Sequence, residues 1–439
     1  MLKTLVGAFK NKDIRKKVLY TLMILVVVRV GSLLPIPGVD TEYFSSLLSG
    51  INTGDLSYLS AFTGGSFERM SLFALSITPY ITSSIIMQLL AIAIPKLEEM
   101  QKEGEDGRKK IAAITRYVTI ALALIESIAM AVGFGRSGLI KGYQGFSTLH
   151  YIVSIIVVVA ALTAGSAMLM WLGERITENG VGNGISIVLL INIISGMPSD
   201  FATLYSTFVA PRTIAKGVLA AAIIIAILVV MVVLVCFLQD GERRIPVQYS
   251  QKVSGRKTFG GQSTNIPLKV NTAGVMPVIF ASSLMQFPVI IAQLFGKSYE
   301  WTRYLSSSYW CRVEAPKYSI GLLVYIVLLI IFAYFYTSIT FNPIEVADNL
   351  KKAGGVIPGI TPGKSTSEYL NKILNYIVFI GAVGLLIIAL IPIMCTGFFN
   401  ASVSFGGTSI IIIVGVVLET LKQIESQMCN RYYKGFLSE

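Results

Sequence analysis

Ten runs of apolar residues, most of about 20 and all but the last two separated by charge, leave this chain few environments in which to fold. A helix rising 1.5 Å per residue crosses a ~30 Å hydrocarbon layer in about 20 residues. In lipid only helices and closed barrels satisfy every backbone N–H and C=O, and barrel strands are about half as long as these runs. The expected spans are 18–34, 70–94, 114–134, 149–173, 183–197, 214–238, 271–295, 319–341, 373–394 and 405–421, numbered here as segments 1 to 10. Composition agrees: 54% of the 439 residues are hydrophobic and 14% charged, where a soluble domain is about a quarter charged. Segment 1 contains Arg29, which costs about 3 kcal/mol near a helix centre, but its aliphatic residues return roughly 0.4 kcal/mol each. Arg29 also lies near the segment's end, where snorkelling is expected. The basic N-terminus leads into a full-length span rather than a cleavable signal peptide.

Lys and Arg placement sets the expected orientation. Lys3, Lys10, Lys12, Arg15, Lys16 and Lys17 precede segment 1, and Lys96, Lys102, Arg108, Lys109, Lys110 and Arg116 fill the 2–3 loop. Arg243, Arg244, Lys252, Arg256, Lys257 and Lys269 occupy the 6–7 loop, and the 8–9 loop and C-terminal tail are basic too. The positive-inside rule makes this side cytoplasmic, and an even number of spans puts both termini there. The net charge of +12 is then mainly a topology signal. The two long basic loops also remain candidates for docking a polyanion or an acidic partner protein.

Little points to catalysis. Cys236, Cys311, Cys395 and Cys429 lack metal-ligand spacing. Cys311 and Cys395 both fall on the expected outer face, so either a disulfide or unpaired thiols is open there. His150, at the start of segment 4, reads as an interfacial residue. With no phosphate loop, nucleophile elbow or metal cluster, the expectation is a protein without cofactor or enzymatic activity.

Repetition carries more information. Segment 2 contains Pro79-Tyr80-Ile81-Thr82-Ser83-Ser84-Ile85-Ile86-Met87-Gln88, and segment 7 contains Pro277-Val278-Ile279-Phe280-Ala281-Ser282-Ser283-Leu284-Met285-Gln286. Aligned on the prolines, Pro, Ile, Ser, Met and Gln coincide. Segment 7 is the second span of the second five, so the expected halves are 1–197 and 198–439, inserted with opposite orientation because five is odd. Proline-interrupted segments at matching places in two halves mark a central pathway. Residues 55–67 are apolar but too short to span, and Gly64-Gly65 breaks them, so they re-enter or lie at the interface. Segments 5 and 10 are short and glycine-led, as crowded central helices are. Ile81 and Ile85 share a helical face, as do Ile185 and Leu189. With Ile279 and Ile412 they fit a ring of branched aliphatics, which would dewet and block ions. The same isoleucines also fit ordinary core or lipid-facing positions.

In these stretches, and over about 16–421, the chain resembles the SecY family, the channel subunits of the bacterial protein-export translocon. The resemblance includes Leu34-Pro35-Ile36-Pro37-Gly38-Val39-Asp40, the stretch around Pro79, Lys102-Glu103-Gly104-Glu105, Met170-Trp171-Leu172-Gly173-Glu174 and Gly182-Asn183-Gly184-Ile185-Ser186. It continues through Arg243-Arg244-Ile245-Pro246-Val247, Ile266 to Asn271, Ala273 to Pro277, Phe341-Asn342-Pro343, Ala347 to Lys352 and Gly406-Gly407-Thr408-Ser409. The resemblance implies an all-α fold of ten transmembrane helices in two inverted halves, passing unfolded polypeptides and releasing hydrophobic segments into lipid. It assigns a pore ring to Ile81, Ile85, Ile185, Leu189, Ile279 and Ile412. It makes 55–67 a plug, through Asp55, Leu56, Tyr58, Leu59, Phe62, Gly64, Gly65 and Phe67. A lateral gate falls on Thr82, Ser84, Gln88, Glu126, Ser282, Ser283 and Gln286. Cytosolic docking falls on Arg243, Arg244, Arg256, Lys257, Lys351 and Lys352. Implied partners are SecE-like and SecG-like small membrane subunits, the SecA motor ATPase, the ribosome, signal peptides with their nascent chains, and lipids of the bacterial plasma (inner) membrane.

Three positions depart from the family's pattern. Thr361 stands where an Arg is usual in the 8–9 loop, Gln239-Asp240 replaces a Glu-Arg pair, and Glu126 replaces a neutral Gln near the gate. A secondary transporter also uses inverted repeats and broken helices, but segments 2, 5, 7 and 10 carry no acid across their centres; Glu126 alone favours that reading. A scaffold or insertase without a pore has no need of a plug or ring.

Overall fold

The structure, a computed structural model, describes residues 10–50, 63–135, 148–210, 214–249, 252–254, 257–259, 263–294, 300–306, 309–311, 316–399 and 407–435. Segment 1 is α1 (Lys12–Leu33), followed by α2 (Thr41–Gly50). Segment 2 is α3 (Thr78–Ala93), which leads into α4 (Pro95–Lys102). Segments 3 to 6 are α5 (Glu105–Phe134), α6 (Thr148–Asn179), α7 (Gly184–Leu204) and α8 (Ile214–Asp240). Segment 7 is α9 (Met276–Leu294), followed by the short α10 (Glu300–Leu305). Segment 8 is α11 (Ile320–Thr340), followed by α12 (Pro343–Lys352), and segments 9 and 10 are α13 (Lys364–Phe399) and α14 (Gly407–Gly435).

Six stretches are individually long and apolar enough to cross a bilayer: Glu105–Phe134, Leu149–Asn179, Gly184–Val209, Lys216–Asp240, Pro316–Lys352 and Lys364–Cys395. The α3–α4 pair adds a seventh if its 107° bend interrupts one span. That bend falls at Ile94, held extended ahead of Pro95, as the residue before a proline is. Helices α1, α9 and α14 fall outside this count, so among the described residues the expected ten spans are not all reached.

Two expected boundaries change. Hydropathy places segment 2 from residue 70, but 70–77 is a chain of buried turns and the helix starts at Thr78. Ser76 takes a left-handed φ of 52°, and Pro79 sits in the first helical turn, where its missing N–H costs nothing. Hydropathy cannot tell a buried apolar turn from a helix. Segment 5, expected to be short, instead runs through Pro198 to Leu204 and on through a π turn, Tyr205–Val209. Membrane helices tolerate an interior proline when neighbours satisfy the freed carbonyl.

Helix neighbours repeat. α3 packs on α5, α5 on α6, α6 on α7, and α1 on both α6 and α7; five segments on, α9 packs on α11, α11 on α13, α13 on α14, and α8 on both α13 and α14. Between these sets, α7 meets α14 and α9 meets α5.

The 6–7 loop forms strands that hydropathy did not announce. β1 (Glu242–Tyr249), β2 (Lys252–Ser254), β3 (Lys257–Phe259) and β4 (Ser263–Lys269) make antiparallel pairs β1–β4 and β2–β3. β5 (Gly355–Val356), from the 8–9 loop, adds to β1 through Gln248↔Val356 and Tyr249↔Gly355. The two basic loops therefore share one sheet. Ile245 and Val247 alternate inward from β1 onto Leu268, Leu350, Ile357 and Leu370.

Candidate functional site

The glycine motif before α7 shows how the centre is assembled. Asn183 caps the helix, its side chain accepting from the Ile185 N–H at 3.2 Å, while the Gly184 N–H donates to Thr177 Oγ1 of α6 at 2.9 Å. A Cβ on Gly184 would lie 1.9 Å from the Gly173 carbonyl oxygen, so only glycine lets α7 start this close to α6. This contact aims Ile185 and Leu189 inward.

They meet residues of three other helices. Leu189, Ile279 and Ile412 are buried in one apolar cluster, against which the half-buried Ile81, Ile85 and Ile185 pack. All six ring residues expected from sequence thus come together, from α3, α7, α9 and α14. The cluster also holds Phe73, Ile77, Ile187, Val188 and Phe280, which sequence reasoning missed. Phe280 meets Phe332 and Tyr336 of α11 edge-on, at 5.8 and 6.1 Å between ring centres. Phe280 follows Ile279 directly in the repeated motif, so it was within reach of the same alignment.

Residues 63–77 lie beside this cluster as a non-helical plate. The Leu72 N–H donates to the Leu34 carbonyl (2.9 Å) and the Ile36 N–H to the Met70 carbonyl (3.1 Å), tying the plate to the end of α1. Asn192 Nδ2 of α7 donates to Ser76 Oγ at 3.1 Å. Of the expected plug residues, Asp55, Leu56, Tyr58, Leu59 and Phe62 lie outside the described residues. Gly65 is described, and Phe67 is buried and meets Phe44 edge-on at 5.9 Å. Gly64 has a φ of +62°, and a Cβ there would sit 2.6 Å from Ser195 Oγ, 2.7 Å from the Asn192 carbonyl oxygen and 3.1 Å from Arg29 Nη1. Arg29 therefore does not snorkel: its Nη1 is buried at this contact, without a hydrogen-bond partner among the described residues.

The polar residues expected at a gate are held mostly within each half. Thr82 Oγ1 donates back to the Thr78 carbonyl (3.1 Å), Ser84 and Ser283 are half-buried, and Ser282 is buried beside Tyr325 of α11. Ser83, not singled out from sequence, is bonded to Thr119 of α5 at 2.5 Å. Buried Gln88 Oε1 has no partner among the described residues, and Glu126 is half-buried on α5. Among the described residues, which leave out the side chain of Gln286, no hydrogen bond joins α3 to α9; Ile81 and Ile85 of α3 pack on the apolar cluster that holds Ile279 and Phe280 of α9.

On the sheet side, Arg243 and Arg244 are exposed on β1, with Arg244 paired to Glu242 at 2.6 Å; Lys351 and Lys352 are exposed at the end of α12. Arg256, and the side chains of Lys257 and Gln286, lie outside the described residues. Asp240 pairs with Lys422 of α14 at 2.7 Å, and Thr361 is exposed between Gly359 and Gly363. Cys236, Cys311 and Cys395 are free thiols, which answers the disulfide question at Cys311 and Cys395; the side chain of Cys429 lies outside the described residues. Among the described residues no His, Cys, Asp and Glu group is placed to hold a metal.

A polytopic helical membrane protein, with aliphatic side chains from both sets of helices meeting at its centre, is the class these features define. The SecY family's sequence profile matches residues 71–421. Protein translocase subunit SecY of Streptomyces galbus is 45% identical over 446 aligned positions, covering 100% of both chains, and that of Bacillus subtilis is 41% identical over 445 with the same coverage. The chain belongs to the SecY family. Solved structures agree on the fold: a protein-conducting channel (TM-score 0.60) and a SecY protein whose plug domain stabilises the closed channel (TM-score 0.63), each 18% identical, covering 94% of this chain and 92% of theirs. Sec61 from a canine ribosome-channel complex has the same identity and coverage with a TM-score of 0.57.

Proposed function

We propose that this chain is the channel subunit of a protein translocase, passing unfolded secretory polypeptides across the membrane and releasing hydrophobic segments sideways into lipid, without catalysing a reaction. The observation that carries this is the meeting of six branched aliphatic side chains, from two elements on each side of the repeat, in one cluster. Such a constriction dewets when closed and parts without breaking polar bonds. The corresponding helix neighbours support two inverted halves, divided after the π turn at Val209 and not at residue 197, which lies inside α7. Residues 55–67, which lead into the buried turns up to Ile77, act as the plug. The seam of α3 against α9, with α5 and α11 beside it, acts as the lateral gate. Because Ile81, Ile85, Ile279 and Phe280 give that seam an apolar inner edge, an apolar signal segment replaces like contacts with like and then partitions by its own transfer free energy.

The shared sheet of the 6–7 and 8–9 loops serves as one docking face for the ribosome and a SecA motor, with Arg243, Lys351 and Lys352 exposed on it. SecE-like and SecG-like subunits complete the assembly in the bacterial inner membrane, with both termini cytosolic. The test is reconstitution with these partners in proteoliposomes. A secretory precursor is expected to cross, and deletion of residues 55–67 is expected to raise ion leak in the resting state; failure of both overturns the reading. Glu126→Gln is expected to lower resting leak and slow lateral release, since an ionisable group in the seam draws water toward it. Identical leak and release in the two proteins would remove Glu126 from the gate.

A further inference from the structure

At the start of α11, two cations converge on one tyrosine. Arg303 of α10 and Lys317 of the 3-10 turn Pro316–Ser319 both act on the Tyr318 hydroxyl, holding it below its ordinary pKa. The guanidinium also lies 5.9 Å from the centre of the Tyr309 ring, and the ammonium 5.0 Å from that of Tyr318. Tyr318 is buried, with the Tyr304 and Tyr309 rings edge-on to it at 5.0 and 6.0 Å. Trp310 Nε1 locks this wall by donating to the Tyr304 carbonyl at 2.8 Å. The cations themselves are exposed, and among the described residues neither is paired with a carboxylate; Glu300, on α10 itself, is the nearest acid acting on Arg303.

Two like charges held over neighbouring rings make a local positive field that an anion joining them relieves. Arginine and lysine together suit a phosphate, the planar fork taking two oxygens and the ammonium acting as a point charge. The location decides which phosphate. α11 has 21 residues, or about 31 Å at helical rise, so the cluster sits at the bilayer boundary opposite the β1–β4–β5 sheet. Trp301, 45% exposed beside it, marks the headgroup level.

We propose that Arg303, Lys317 and Tyr318 form a seat for the phosphate of an anionic phospholipid in the leaflet at that end of α11. The proposal rests on the membrane fold and is independent of channel activity. The test is lipid retention by the full chain, purified from nanodiscs containing phosphatidylglycerol and phosphatidylcholine in equal amounts and read by mass spectrometry. The chain is expected to enrich phosphatidylglycerol roughly tenfold, within the ~30-fold that two interfacial cations allow. Arg303→Gln with Lys317→Gln is expected to abolish the enrichment, while Arg303→Lys, which preserves charge, retains part of it. As a charge-matched control, Lys351→Gln with Lys352→Gln is expected to leave it unchanged. Equal enrichment in the Gln pair and the parent overturns the seat, and so does an equal loss in the Lys351/Lys352 control. Displacement of the retained lipid by millimolar inorganic phosphate would reassign the seat to a free anion and overturn the lipid.

Discussion

Ile279→Asn is expected to raise the resting ion leak of reconstituted protein roughly tenfold or more. Ile279 is 5% exposed in the central cluster, where Leu189 and Ile412 are its buried companions. An amide placed there finds no partner and carries a penalty of about 1–3 kcal/mol while the site stays dry. Water relieves that penalty. A shift of ~1.4 kcal/mol toward the wetted state is a tenfold change in its population, and wetting is what lets ions through an apolar constriction. Ile279→Val separates wetting from loosening. It costs about 0.5–1.5 kcal/mol of packing but leaves the ring apolar, so its leak should stay near the parent's. Leak unchanged in a folded Ile279→Asn protein would show that the cluster is ordinary core and not the seal.

Much of this site was legible because its signals are local. The 3.6-residue spacing that pairs Ile81 with Ile85 and Ile185 with Leu189, and the proline-anchored repeat that leads from Ile81 to Ile279, both name faces of single helices. The helices then assemble so that the four faces carrying the six residues coincide. What escaped was set by contacts distant in sequence. Hydropathy treats 70–77 as helix, yet the Leu34 and Ile36 backbone draws it into turns against α1. β5 is two residues long and exists only because β1 offers an edge more than a hundred positions away. Arg29 reads as a residue near a helix end, whereas its Nη1 is buried because Gly64 and α7 close over it. The polar gate residues were a matter of type without direction. Ser282 lies beside Tyr325 of its own half, and Ser83, a neighbour of the chosen Thr82 and Ser84, makes the inter-helix bond on the other side.

The second large effect is expected at Gly64, and Gly65 beside it supplies the control. Both glycines have positive φ, +62° and +78°, so alanine at either pays a comparable backbone penalty of about 1–2 kcal/mol. Only at Gly64 does the new methyl collide. It would stand 2.6 Å from Ser195 Oγ and 2.7 Å from the Asn192 carbonyl oxygen, whereas nothing lies within 4 Å of a Cβ on Gly65. The serine hydroxyl can rotate away, but the backbone carbonyl belongs to the interior of α7 and does not yield without bending that helix. Gly64→Ala therefore pushes the plate off α7 and withdraws the contact that covers Arg29. Its leak in proteoliposomes should exceed that of Gly65→Ala severalfold, and protease should cut within 55–67 more readily. If the plate is only a structural loop, the two substitutions will differ in thermal stability but not in leak. If it is the plug, the collision at Asn192 appears as conductance, because the same contact that fixes the loop then also closes the path.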